Sequence, residues 1–215
     1  MENKGWDQRK SLTLRKTNKG YFVDLYWKKP DSGLKQGNQA IGIDVGIQKL
    51  MTLSDGQKLG TGLRQKLDKL NRRQQKSHNW DQTCKEIKDY IGYVTNRFPW
   101  KSVDVIVMEQ ILNITKSTKG RVNKTLRKLL GHWNLRLLYR RMVDKATENR
   151  VSLALVDPAY SSQTCSSCGS IDKKSRIGEV FRCVNCGYSL DADHNASLNI
   201  LQRFLDGHYT VAHCA

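Results

Sequence analysis

The sequence predicts an α/β domain built on a mixed sheet flanked by helices. Three features lead there: apolar runs of five or six residues bounded by turn signals, longer segments with a helical apolar period, and a further short apolar run after the longest helical segment. With 215 residues, 38% of them hydrophobic, the chain has enough apolar surface for one ordinary domain and a small appendage.

Taken in order, residues 11–28 alternate apolar and polar positions around Asn18-Lys19-Gly20, which predicts a β-hairpin. Lys29 to Gln39, with Pro30, Gly33 and Gly37, has turn composition and no apolar period, so 1–38 reads as hairpin plus linker and 39–215 as the main domain. Ala40–Asp44 and Lys49–Leu53, closed by Ser54-Asp55-Gly56, predict two strands of a second hairpin. From Gly60 to Phe98 the pattern turns helical: Leu63, Leu67 and Leu70 share one face, and Ile87, Ile91 and Val94 another. Val103–Glu109 predicts a buried strand, Lys119–Arg150 a long helix with one packed face, Val151–Val156 a fourth core strand, and Asn195–Leu205 a closing helix.

Charge narrows the choice of partner. Lys and Arg number 37 against 20 Asp and Glu, a net +17, so a polyanion is expected, nucleic acid first. The expected contact surface comprises Lys66, Arg72 and Arg73 on the first helix and Lys119, Arg121, Lys124, Lys128, Arg136 and Arg140 on the second. Trp80 and Trp100 have two readings, stacking on unpaired bases or packing against the core. No apolar run approaches the roughly 20 residues of a membrane span. The first residues, Met1-Glu2-Asn3-Lys4, lack a secretory signal, so a cytoplasmic, reducing location is expected. There, six cysteines favour metal ligation over disulfides.

Four of them form two matched pairs. Cys165-Ser-Ser-Cys168 and Cys183-Val-Asn-Cys186 are separated by fourteen residues, and each pair is followed by glycine, Gly169 and Gly187. Such pairs turn both sulfurs toward one ion, and four thiolates close a tetrahedral zinc site with no position for water. One structural zinc is therefore expected, in a ribbon at about 161–190. Cys84 and Cys214 have no such partners in the sequence.

A basic chain that ends two apolar strands in carboxylates, Asp44 and Glu109, invites explanation, because a carboxylate near a core needs a partner or a metal. A third acidic group follows the ribbon in Leu190-Asp-Ala-Asp-His-Asn195. Taken singly, each acid also fits a cap, an ion pair or a helix N-terminus. Converging on one sheet edge, they would hold two Mg²⁺ or Mn²⁺ ions for phosphodiester hydrolysis.

The joint pattern resembles the transposon-encoded TnpB proteins and the RuvC-like nuclease half of type V CRISPR effectors. It comprises Gly42-Ile-Asp44-Val-Gly46, Val107-Met-Glu109, Ser162-Gln-Thr-Cys165-Ser-Ser-Cys168-Gly, Cys183-Val-Asn-Cys186-Gly and Asp191-Ala-Asp193-His-Asn195-Ala, and it spans roughly residues 40–205. The resemblance implies an RNase H-like fold with an inserted zinc ribbon and the metal ligands Asp44, Glu109 and Asp193. It prefers Asp193 to Asp191 because the family's last motif reads Asp-x-Asn-Ala. It also implies a bacterial, phage or mobile-element setting, and it likens the hairpin at 11–28 to the tail of the family's wedge barrel. Guided members carry a recognition lobe ahead of the first Asp motif, whereas 43 residues precede Asp44 here. The leading expectation is therefore a stand-alone, Mg²⁺-dependent endonuclease selective for branched or four-way junction DNA, compatible with a homodimer. The alternatives are an RNA-guided DNA nuclease of the TnpB type, completed by an RNA or a second chain, and a non-cleaving DNA-binding protein.

Overall fold

A computed structural model describes residues 7–28, 33–35, 37–110 and 135–211. The chain divides into two units, Met1–Gly33 and Leu34–Ala215.

The first unit is one antiparallel hairpin, β1 (Asp7–Thr17) and β2 (Gly20–Lys28), with Thr17 opposite Gly20 and a register shift between Gln8 and Leu12. It begins four residues before the span read from the sequence, because the bulge interrupts the apolar alternation there. Arg15 forks onto both carboxylate oxygens of Asp24, at 2.7 and 3.0 Å. Leu14 and Tyr21 stay 62% and 67% exposed. A two-stranded ribbon has no opposing layer in which to bury such side chains.

In the second unit the linker residues join the main body. Lys35 places its ammonium on the carbonyls of Trp100 (2.6 Å), Val103 (3.0 Å) and Lys101 (3.4 Å), and its N–H donates to the Arg150 carbonyl. The body is a six-stranded mixed sheet of β3 (Ala40–Asp44), β4 (Met51–Leu53), β5 (Lys58–Leu59), β6 (Val105–Glu109), β7 (Ser152–Val156) and β11 (Thr210–Val211), in the order β11-β7-β6-β3-β4-β5. The β7-β6-β3 centre is parallel, and the flanking pairs are antiparallel. Helices α1 (Leu63–Asn71) and α2 (His78–Asn96) lie in the chain between β5 and β6, and α3 (Leu135–Asn149) precedes β7. Ser77 caps α2 by accepting from the Trp80 N–H at 3.2 Å. The part of the expected long helix at 119–134 lies outside the described residues.

Strand alternation sorts side chains onto two faces. Ile41, Ile43, Ile106, Met108, Leu153 and Leu155 join Leu63, Leu67, Ile91, Leu138 and Met142 in the larger core. Each fully buried Leu or Ile there contributes about 2 kcal/mol of transfer free energy. Trp100 belongs to that core, its indole N–H donating to the Thr95 carbonyl at 2.8 Å, and Trp80 packs against it. Both tryptophans therefore follow the packing alternative rather than base stacking.

Val107, Ala154 and Val156 face the other way, onto Ile200 of α4 (Ala192–Leu205). The approach of α4 to β3 is close: a Cβ on Gly42 would lie 2.2 Å from the Ser197 carbonyl oxygen, so only glycine fits. Helix α4 starts three residues earlier than the apolar pattern suggests, because Asp191 caps it and its first turn is polar. The edge strands β5 and β11, two residues each, carry no readable period. A small three-stranded sheet, β8 (Arg176–Ile177), β9 (Val180–Arg182) and β10 (Ser189–Asp191), lies between β7 and α4 in the chain. Among the described residues no helix is long and apolar enough to cross a membrane.

Candidate metal centre

Two groups of ligand-type side chains lie in the second unit. The four cysteines are assembled locally. Gly169 and Gly187 both adopt φ of +74°, and their N–H groups return to the Cys165 and Cys183 carbonyls at 2.9 and 3.0 Å, turning each pair back on itself. All four sulfurs lie within 4.8 Å of one another, with Cys165–Cys186 and Cys168–Cys183 both at 3.7 Å. A tetrahedron with Zn–S bonds of about 2.3 Å has edges of about 3.8 Å, so the cluster fits a zinc ribbon. The backbone N–H of Ser170 and the Cys186 thiol draw Cys168 down to about 6, which favours the thiolate a metal requires. Cys165 and Cys183 are buried with Phe181 and Ala192 in a core too small to order the segment alone.

The carboxylates are assembled by topology. β3 and β6 run parallel with Gly42 opposite Val107 and Ile43 opposite Met108, so Asp44 and Glu109 stand side by side one step further along. Alternation puts them on the face of Gly42 and Val107, which is the face covered by α4. Asp193, in the first turn of α4, lies near enough for its charge to act on Asp44. Burial, then the charges of Glu109 and Asp193, pushes Asp44 up to about 7. Glu109 is also raised, by burial first, against the hydroxyl of Ser161, which donates to Oε1. A desolvated carboxyl with two like charges in reach is the environment that a hard, oxygen-seeking cation relieves.

Asp191 and Asp193 do different work. Asp191 accepts from the N–H groups of Asp193 (3.2 Å) and His194 (3.1 Å) and from the ammonium groups of Lys49 (3.1 Å) and Lys58 (2.8 Å). Burial would raise its pKa, but its donors bring it to about 2; Oδ1 fastens the helix start and Oδ2 holds the two lysines. Asp193 receives Lys49 at 3.1 Å and Arg176 of β8 at 2.9 Å. Lys49, Arg176 and Ser161 were not singled out in the sequence. An ammonium inside the apolar run Lys49–Leu53 is the one readable sign among them.

Of the expected nucleic-acid contacts, Arg72 and Arg73 are exposed after α1, and Arg136 and Arg140 on α3. Lys66 is half-buried, its ammonium 5.1 Å over the Tyr90 ring. Lys119, Arg121, Lys124 and Lys128 lie outside the described residues, as does Cys214, while Cys84 is half-buried in α2.

Comparison with known proteins follows this geometry. Residues 136–200 match the Cas12f1-like TNB domain family. The chain is 31% identical over 121 residues to the CRISPR-associated endodeoxyribonuclease Cas12f1 of Sulfoacidibacillus thermotolerans, covering 56% of this chain and 29% of that protein. It is 30% identical over 204 residues to InsQ of Escherichia coli (strain K12), covering 80% of this chain and 50% of that protein. A solved Cas12f1–sgRNA–target DNA complex superposes with a TM-score of 0.55 at 18% identity, over 91% of this chain and 64% of its counterpart. This is a mixed α/β domain with the Cas12f1 fold and a four-cysteine ribbon ahead of its last long helix. These matches make the chain similar to TnpB proteins and type V CRISPR effectors. It spans less than a third and about half of the length of the two relatives described.

Proposed function

We propose that this chain is an RNA-guided DNA endonuclease of the TnpB type, with an RNase H-like core in which Asp44, Glu109 and Asp193 bind two Mg²⁺ ions and the ribbon binds one Zn²⁺. One observation supports the reading: adjacent parallel strands set Asp44 beside Glu109 with the charge of Asp193 acting on Asp44, and burial makes the Asp44 and Glu109 charges costly without a cation. When bound, a pair of divalent ions supplies Lewis-acid stabilisation of the attacking and leaving oxygens of an in-line displacement.

The chain's own part is to hold the ligands in place. Asp44 is set by the end of β3 against the Val45 N–H, Glu109 by the Ser161 hydroxyl, and Asp193 by Lys49 and Arg176. The exposed arginines just after α1 and those on α3 provide phosphate contacts for a chain of net charge +17.

The relatives support guidance by RNA. Cas12f1 is named as a CRISPR-associated endodeoxyribonuclease, InsQ is itself proposed to be an RNA-guided DNA endonuclease, and the superposed Cas12f1 was solved with sgRNA and target DNA. That support goes to the guided alternative and away from the stand-alone, junction-selective expectation. Purification with co-purifying nucleic acid, followed by sequencing and cleavage assays, tests the choice. A discrete RNA that directs Mg²⁺-dependent cleavage of matching duplex supports the proposal. Cleavage of four-way junctions without RNA overturns guidance, and cleavage that persists in Asp44→Ala, Glu109→Ala and Asp193→Ala overturns the site.

A further inference from the structure

One face of α4 carries Asn195, Asn199 and Arg203 at four-residue intervals, so their side chains follow one another along the helix. All three address the backbone of a single segment, the stretch from the end of β7 to the first cysteine knuckle. Arg203 donates to the carbonyls of Asp157 and Ala159. Asn199 donates to those of Ser161 at 2.8 Å and Thr164 at 2.7 Å. Asn195 donates to Thr164 at 2.8 Å, and its carbonyl accepts the Ser166 N–H at 3.0 Å. Thr164 and Ser166 flank the ligand Cys165. Both asparagines are buried, where an amide without its partners would cost about 1–3 kcal/mol, so helix and segment hold each other in register.

Ser161 sits midway along this segment and is itself buried. Its hydroxyl has one hydrogen and gives it to Glu109 Oε1; the Pro158 carbonyl is more distant, at 3.3 Å. Holding Oε1 restricts the orientations in which the carboxylate can offer its other oxygen to a ligand. We propose that Ser161 is a positioning residue for Glu109, and that the Asn195–Asn199 stripe ties its placement to the filled cysteine cluster, so loss of the zinc loosens the carboxylate site. This inference rests on the metal-binding role given to Glu109 in the proposed function.

The test uses the full chain and Mn²⁺ as the probe, with binding followed by electron paramagnetic resonance and zinc by elemental analysis. Ser161→Ala should keep one zinc per chain and a near-parental melting temperature, while Mn²⁺ affinity falls about 10-fold or more, as for other residues that orient a metal ligand. Removing zinc from the parent should weaken Mn²⁺ binding by a similar factor. Removing it from Ser161→Ala should add little, because the link is already cut. Circular dichroism reports whether the zinc-free chain stays folded. If it does not, Asn199→Ala, which cuts the link with zinc in place, must show the same non-additivity with Ser161→Ala. Unchanged Mn²⁺ affinity in Ser161→Ala, in the folded zinc-free parent, or in Asn199→Ala where it replaces that parent, overturns the inference, as does simple additivity. A parent chain that binds no Mn²⁺ overturns the carboxylate reading itself, which separates the two failures.

Discussion

The cysteine cluster and the carboxylate group share one unit but are assembled from opposite ends of the scale of sequence separation. Each cysteine pair is set by its own tight turn, and the two pairs meet across fourteen intervening residues. The carboxylates come from two strands and a helix, and they meet only because β3 pairs with β6 and α4 covers both. The first group is closed: four sulfurs are spaced to satisfy one soft ion and leave no position over. The second carries an energetic cost, since burial and the charges of Glu109 and Asp193 act against the ionised Asp44, and in the proposed function that cost is relieved by ions that keep water or phosphate. Local assembly makes the cysteine site a source of stability, whereas long-range assembly makes the carboxylate site a consumer of it.

That contrast can be broken most forcefully at the ribbon. Cys183→Ser should take zinc from one per chain to none and melt the ribbon, since ion binding of the order of 10 kcal/mol is what orders so small a core. Elemental analysis and thermal melts check this, and retained stoichiometry would refute it. Asp44→Ala, Glu109→Ala or Asp193→Ala should each lower Mg²⁺-dependent cleavage about a thousandfold, near 4 kcal/mol, while DNA binding and folding survive. Rates on a labelled duplex with the cognate RNA, beside a binding titration, provide the measurement.

Gly42→Ala probes the scaffold between the two sites. The added methyl meets the Ser197 carbonyl, must push α4 off β3, and should cost about 2 kcal/mol in chemical denaturation. A change below about 0.5 kcal/mol would show that α4 yields freely.

Asp44→Asn sharpens the stability half of the contrast. It should stabilise the metal-free chain by about 1 kcal/mol at pH 8, where it removes a desolvated charge. The sign follows from linkage. Asp44 is raised from 3.8 in its unperturbed form to about 7 in the fold, so between those values the folded state holds the extra proton. Stability from this group therefore falls as pH rises from 4 to 7, and the advantage of Asn should vanish near pH 4. Equal melting temperatures at pH 8 would contradict it. The smallest effect is expected at the surface: Arg72→Ala should reduce the slope of log affinity against log salt for duplex DNA by about 0.9, measured by titration at several ionic strengths.

Legibility in the sequence followed the same division. The cysteine ribbon could be read outright, because its geometry is written in spacing and in two glycines. The strands bearing Asp44 and Glu109 were legible as apolar runs ending in an acid, and Asp193 through the resemblance of its motif. Their supports were not. Ser161 meets Glu109 across 52 residues and Lys49 meets Asp193 across 144, and no periodicity or propensity encodes such pairs. The first turn of α4 lies outside the apolar period because it is mostly polar, whereas Asp191, which caps it, fits the helix N-terminus reading the sequence offers for it. Strands β5 and β11 are too short to show alternation.

The junction between β10 and α4 has no loop: Asp191 ends the strand, and Ala192 begins the helix. Since a helix turns about 100° per residue, a single insertion there would swing Asp193 round the helix axis by that angle relative to the capped end. Length variation in the ribbon is therefore admissible at its outer turns and forbidden at this seam, which makes the seam a fixed reference mark for aligning and engineering relatives of the chain.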